Sequence, residues 1–235
     1  MTTVSQQLVT IYERIRAACN TAGRDASGVR LLAVSKTFGD NAVIDAVLAG
    51  QRAFGENYVA EAIEKIATVR TRLGSAADAL EWHCIGPLQS NKTRLAAEHF
   101  DWVQSVDRLK IAQRLSEQRP ARLPPLQICL QVNIDGGANK SGVAPDAAEA
   151  LACEVSRLPR LVLRGLMAIP EPAIDFVAAC ALHARVKAVF DQINWSGKLA
   201  VPMDTLSLGM SADLEAAIHA GSTMVRVGTA IFGNR

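Results

Sequence analysis

The 235-residue sequence predicts an α/β fold, a single (β/α)8 barrel with one extra helix at its N-terminus. Three observations predict it. Short β-rich runs alternate eight times with helical patterns, the signature of a barrel. Several of those runs are near-continuous Val/Ile/Leu, as in parallel strands covered on both faces. No Pro/Gly/Ser linker divides the chain, so residues 1–235 read as one domain. A barrel alone takes about 200–250 residues, which leaves no room for a second sizeable one.

The elements follow in order. Val4, Leu8, Ile11 and Ile15 recur at helical spacing and form the leading helix. The strand candidates are VRLLAVSKT, RAFGENY, EWHCIG, WVQSV, LQICLQVNI, LVLRGLMAI, TLSLGM and MVRVGTAIFG. Between them, Asp40 is expected to cap a helix carrying Val43, Ile44, Val47 and Leu48, closed by Gly50. Val59, Ile63, Ile66 and Leu73 mark the next, stopped by Gly74. Asp107 caps one near Arg108, Pro145-Asp146 begins another, and Phe176 to Ile193 forms a long one. Ser211 is expected to cap the last, with Asp213 in its first turn and Gly221 at its end. No G-x-G-x-x-G follows the first strand, which weakens the competing doubly wound sheet.

Composition narrows the class. Apolar residues make up 49% of the chain, enough for a core, which excludes disorder. The balance of 25 Lys+Arg against 23 Asp+Glu carries no electrostatic footprint for nucleic acid. The N-terminus lacks the charge pattern and apolar run of a signal peptide, and no stretch reaches the roughly 18 apolar residues that span a bilayer. Cys19, Cys84, Cys129, Cys153 and Cys180 are odd in number and hold no C-x-x-C pair, so they read as reduced thiols of a cytoplasmic protein. The four histidines show no metal-ligand spacing, so no metal is expected.

Polar residues at strand C-termini are the candidates for chemistry, because barrel active sites gather at that face. Lys36 ends the first strand, where burial would lower its pKa and leave a nucleophilic amine able to form a Schiff base; a surface lysine is the plainer reading. Gly209-Met210-Ser211 and Gly228-Thr229 follow strands seven and eight, where barrels frequently bind phosphate through backbone N–H and hydroxyl groups. Arg226 precedes Gly228 by two residues and faces either that phosphate, a ring nitrogen of a cofactor, or a structural ion pair. Asn57 stands near the second strand's end, and Glu56 beside it reads as the start of the following helix. His83 reads as a barrel-interior residue rather than a catalyst, Asn91 and Lys92 as a helix cap or an anion contact, and Lys140 as a loop side chain.

The segments LLAVSKT, FGENYVAEA, WHCIGPLQSNK, VDR, NKSG, GLMAIP, LSLGMSADLEAAI and VRVGTAIFG occur together and in order. As a set the chain resembles the pyridoxal-phosphate homeostasis proteins, the YggS/PROSC or PLP-binding protein family. The resemblance implies a barrel of PLP fold type III, like that of alanine racemase, with pyridoxal 5′-phosphate held as an internal aldimine on Lys36. It implies phosphate contacts from Ser211, Gly228 and Thr229, Arg226 at the pyridine nitrogen, Asn57 near the ring, and Met167 and Ser207 lining the pocket. Lys140 matches the family's N-K-S-G and is expected to make a secondary contact with the cofactor.

Two functions compete. One is a non-catalytic carrier that stores, buffers and delivers the cofactor to apo-forms of PLP enzymes, as a monomer. The other is an amino-acid racemase, which needs a second base opposite Lys36; the chain offers only Tyr12 and Tyr58 as tyrosines and no room for the second domain of a racemase. A Schiff-base aldolase without PLP is a weaker third reading.

Overall fold

The computed structural model describes residues 3–137 and 141–233. Eight strands, β1 (Arg30–Val34), β2 (Ala53–Glu56), β3 (Glu81–Cys84), β4 (Trp102–Val106), β5 (Leu126–Gln131), β6 (Leu161–Met167), β7 (Thr205–Ser207) and β8 (Met224–Val227), close into a barrel in chain order. All neighbours pair in parallel, and the barrel shuts where Arg30–Ala33 of β1 lie against Met224–Val227 of β8. This is the predicted (β/α)8 barrel.

Around it lie α1 (Val4–Thr21), α2 (Asp40–Leu48), α3 (Val59–Leu73), α4 (Thr93–His99), α5 (Leu109–Gln118), α6 (Ala148–Val155), α7 (Phe176–Trp195), α8 (Leu214–His219) and α9 (Thr229–Phe232). The leading helix begins at a capping box, in which Thr3 and Gln6 satisfy each other's backbone N–H groups. Its buried residues Leu8, Ile11, Ile15, Ala18 and Cys19 form one stripe, and the helix packs on α8, α9 and α2. It thus lies across the seam where the chain's first and last barrel units meet.

Several boundaries differ from the sequence reading. The last strand ends at Val227, and Thr229–Phe232 is helical instead of extended. A Cβ at Gly228 would sit 3.0 Å from the Val34 carbonyl oxygen, so β8 passes β1 too closely for an ordinary side chain, and the chain turns there. Ser211 does not cap α8; Asp213 holds that position and Ser211 lies in the preceding turn. Asp40 is the first residue of α2 rather than its cap, and Arg108 rather than Asp107 precedes α5.

The core has two parts. Strand residues pointing outward join the helices in one large cluster, with Phe54 packed on Trp82 at 5.4 Å. Inside the barrel are two small apolar clusters, Leu32/Val34/Ala53/Ile85/Met224 and Trp102/Cys129/Met167. The buried polar residues His83, Gln104, Ser207 and Arg226 also belong to the interior. His83 stacks on Trp102 at 5.0 Å, and Gln104 reaches the Met224 sulfur at 3.2 Å.

β6 and β7 approach most closely at Gly165, where any Cβ would collide with the Thr205 carbonyl. Gly165→Ala is expected to destabilise the protein by about 1–3 kcal/mol or more through overpacking. Urea unfolding measures it, and an unchanged midpoint would contradict this packing.

Candidate functional site

A cleft of about 490 Å³ opens at the C-terminal mouth of the barrel. Lys36, Asn57, Ser211, Arg226, Gly228 and Thr229 all line it, so residues spread over most of the chain converge on one cavity. Met167 and Ser207 do not line it. Met167 is fully buried with Trp102 and Cys129, and Ser207 lies beneath Arg226. His83, Asn91 and Lys92 lie outside it as well. Lys140 falls outside the described residues.

Lys36 occupies a tight turn. The Phe38 N–H donates to the Ser35 carbonyl at 3.1 Å, with Lys36 and Thr37 as the central pair. Thr37 has φ 74°, the left-handed value that the third residue of a type II turn requires and that a β-branched residue rarely adopts. Lys36 itself is exposed. The buried lysine expected at this strand end is therefore not found; what the turn provides is access.

The turn is anchored from below. Ser35 donates its hydroxyl to Glu56 Oε1 at 2.6 Å, and Lys65 donates to the same oxygen at 2.7 Å and to the Ser35 carbonyl at 2.8 Å. Glu56 is the last residue of β2 and almost fully buried, not the start of the following helix. Burial raises its carboxyl above the usual range, although Lys65 and Ser35 oppose the shift. Nothing in the spacing announced this pair; the signal was a glutamate ending an apolar strand and a lysine beside the buried stripe of α3.

The opposite wall is built from backbone. Gly209, at φ +88°, lets the chain leave β7, and the Met210 N–H donates to Asp213 Oδ1 at 2.6 Å. His183 Nε2 lies 2.9 Å from Asp213 Oδ2. Burial alone would raise the Asp213 carboxyl, but the contacts with His183 and Met210 and the charge of Arg226 outweigh it and hold it below the ordinary value. From α1, Arg14 grips Glu215 with two bonds of 2.7 and 2.9 Å and donates to the Ser211 carbonyl at 3.0 Å. The leading helix thus braces the Ser211 turn. Next to it, α9 opens at Gly228, and the first-turn N–H groups of Thr229 and Ala230 have no acceptor within the helix.

Arg226 forms part of the floor. Nη1 donates to the Ser207 carbonyl at 2.6 Å and to Ser207 Oγ at 2.9 Å, and Nη2 donates to the Ala168 carbonyl at 2.9 Å. Burial lowers its pKa to about 10, opposed by Asp213, so it stays cationic at neutral pH. Of the open readings for this residue, the ion pair is not the one seen: these partners are neutral oxygens.

Fold and site together define a barrel of the alanine racemase type. The family model described as alanine racemase, N-terminal domain, matches residues 7–235. Within that class the chain belongs to the pyridoxal phosphate homeostasis protein family. It is 55% identical to the pyridoxal phosphate homeostasis protein of Pseudomonas aeruginosa, covering 100% of this chain and 97% of that one. The Escherichia coli K12 protein of the same name is 50% identical, with 100% and 98% covered. PipY of Synechococcus elongatus, solved with PLP bound, superposes with a TM-score of 0.83 at 35% identity, covering 98% of this chain and 100% of that one. The alanine racemase of Corynebacterium glutamicum shares the fold, with a TM-score of 0.64 at 18% identity over 96% of this chain and 61% of its own.

Two outcomes follow from the buried groups. Lys65→Met leaves Glu56 buried without its cation, and is expected to cost about 3–5 kcal/mol in urea unfolding. The double variant with Glu56→Gln should recover part of the loss. His83 is pushed down to about 4, chiefly by burial, against an ordinary 6.5. The unfolded chain binds the extra proton between these values, so this stability is complete above about pH 6.5 and is lost as pH falls toward 4, on the order of 3 kcal/mol. Glu81, held down to about 2 by its contact with His83 and by Arg30, stays ionised through that window. Unfolding measured at several pH values should show the slope, and His83→Gln should flatten it.

Proposed function

We propose that this chain binds pyridoxal 5′-phosphate and serves its intracellular homeostasis, storing, buffering and delivering the cofactor without turning over a substrate. The observation that carries this is the convergence of an exposed amine, a buried permanent cation and two N–H-bearing turns on one cleft. The residues fit the group. Ser211, Gly228 and Thr229 would hold the phosphate, with hydroxyls and free N–H groups that suit an anion. Lys36 would bond the aldehyde carbon, Arg226 would donate to the ring nitrogen, and Asn57 would lie near the ring. Ser207 and Met167 would act from beneath, as supports for the floor.

When bound, the cofactor supplies an electrophilic carbonyl for a lysine amine and, with its ring nitrogen protonated, an electron sink. Arg226 would work against that protonation: it can donate an N–H but keeps its own proton, so it would hold the ring without activating it. The site favours holding over turnover.

The racemase reading needs a second base in the cleft. Tyr12 donates its hydroxyl to Gln51 Oε1 at 2.8 Å, and Tyr58 is 59% exposed at the start of α3; neither lines the cavity. Delivery to apo-enzymes by a monomeric, cytoplasmic protein completes the proposal. Buried thiols at Cys19, Cys84 and Cys129 agree with a reducing compartment, and among the described residues no helix is long and apolar enough to cross a membrane.

Borohydride reduction after incubation with pyridoxal phosphate should fix the cofactor on Lys36, found by peptide mapping, and Lys36→Ala should abolish the visible absorbance. A wild-type protein that takes up no cofactor overturns the assignment. Ser211→Ala and Thr229→Val should each weaken binding of pyridoxal phosphate by about 10-fold or more, the worth of a hydrogen bond to a charged group, while leaving pyridoxal nearly unaffected. Incubation with D- or L-alanine tests turnover, and racemisation faster than roughly 1 s⁻¹ contradicts the carrier reading.

A further inference from the structure

We propose that Gln104 is a positioning residue for Arg226: acting through Ser207 and backed by His83, it decides which N–H groups of the guanidinium are left for a ligand in the cleft. The ligand side of this inference rests on the cofactor reading above; the geometry does not. The four side chains form one hydrogen-bonded string through the barrel interior. Arg226 Nη1 donates to Ser207 Oγ at 2.9 Å, Ser207 Oγ donates to Gln104 Oε1 at 2.7 Å, and Gln104 Nε2 donates to His83 Nδ1 at 2.9 Å. None of the four is more than 4% exposed, so no solvent competes for these bonds.

Every donor in the string points the same way. A serine hydroxyl has one proton. Arg226 cannot accept it, so Ser207 must give it to Gln104 and turn its lone pairs toward Arg226. Gln104 can accept there because its amide nitrogen is turned to His83 Nδ1 and to the Met224 sulfur. His83 accepts on Nδ1, which puts its proton on Nε2, toward Glu81 at 3.4 Å. Burial keeps this imidazole neutral near pH 7 and preserves the acceptor.

The consequence lies in the donor count of Arg226. A guanidinium has five N–H groups. Both on Nη1 go to Ser207 and one on Nη2 goes to Ala168. Among the described residues the other Nη2 hydrogen and Nε–H have no acceptor, on a residue that lines the cavity. The floor therefore offers donors and selects a ligand atom with a free lone pair. An unprotonated ring nitrogen qualifies and a protonated one does not. Without Gln104, the Ser207 hydroxyl is free to turn and the guanidinium loses its fixed orientation.

The tests run on the full chain. In ligand-free, 15N-labelled protein, long-range N–H correlations should show His83 as the Nε2–H tautomer; an Nδ1–H tautomer overturns the string's direction. Gln104→Met should speed exchange of the Arg226 guanidinium protons about tenfold and weaken pyridoxal phosphate binding by a similar factor, with a shift of the visible band. Adding Ser207→Ala to that variant should cost little more. Unchanged exchange, affinity and spectrum in a folded Gln104→Met protein refute the role. If that variant does not fold, Gln104→Glu still decides: it keeps the acceptor for Ser207, so Arg226 protection should persist while His83 switches to Nδ1–H. Loss of Arg226 protection, or an unswitched tautomer, counts against the proposal. If instead the wild type binds no cofactor, the functional reading fails while the two ligand-free measurements still judge this one.

Discussion

A permanent positive charge sits at the centre of the barrel mouth, and much of its surroundings exists to keep it there. Burying a guanidinium is costly unless its hydrogen bonds are met. Arg226 meets most of that demand, three of its five N–H groups, with oxygens of Ser207 and Ala168, at the ends of β7 and β6. Neutral acceptors satisfy the donors without cancelling the charge, whereas a carboxylate in contact would have done both. Asp213 acts on it as an opposite charge but is occupied with His183 and the Met210 N–H. The cation is therefore fixed and still electrostatically available.

The rest of the cleft divides along the same line between held and free. The Met210–Ser211 turn is braced on several sides, by Gly209, by Asp213 and by Arg14 from the leading helix. The Lys36 turn is pinned beneath by Ser35, Glu56 and Lys65 and carries backbone strain at Thr37. Above these anchors Lys36 is exposed. Braced turns around an accessible amine leave little to be ordered when a ligand enters the cleft.

The barrel was legible because its signals are local. Apolar runs and glycine stops repeat along the chain, and WVQSV matches β4 residue for residue. Lys36, Asn57, Ser211, Arg226, Gly228 and Thr229 were legible from their places at strand ends, and they meet in one cleft. What the sequence hid depends on contacts between distant segments. Glu56 with Lys65, Asp213 with His183, and Arg14 with Ser211 have no shared periodicity, since the closed barrel alone brings them together. The helix at Thr229–Phe232 is hidden for a related reason: its apolar residues continue those of β8, and the strand ends where Gly228 comes close to Val34, a contact between distant segments. Gln104 was within reach. It is the lone amide in the short strand WVQSV, and alternation places it on the inner face with Trp102.

The seam between β1 and β8 sets an order on synthesis as well as on space. It pairs Arg30–Ala33 with Met224–Val227, and it carries Lys36 at one edge and Thr229 at the other. In order of synthesis Lys36 comes before Thr229 by nearly the whole barrel. Through most of translation that amine has no cradle beside it. The cleft is complete only once β8 has closed on β1, so a chain that stops one strand short leaves a barrel with an open side and an unfinished mouth.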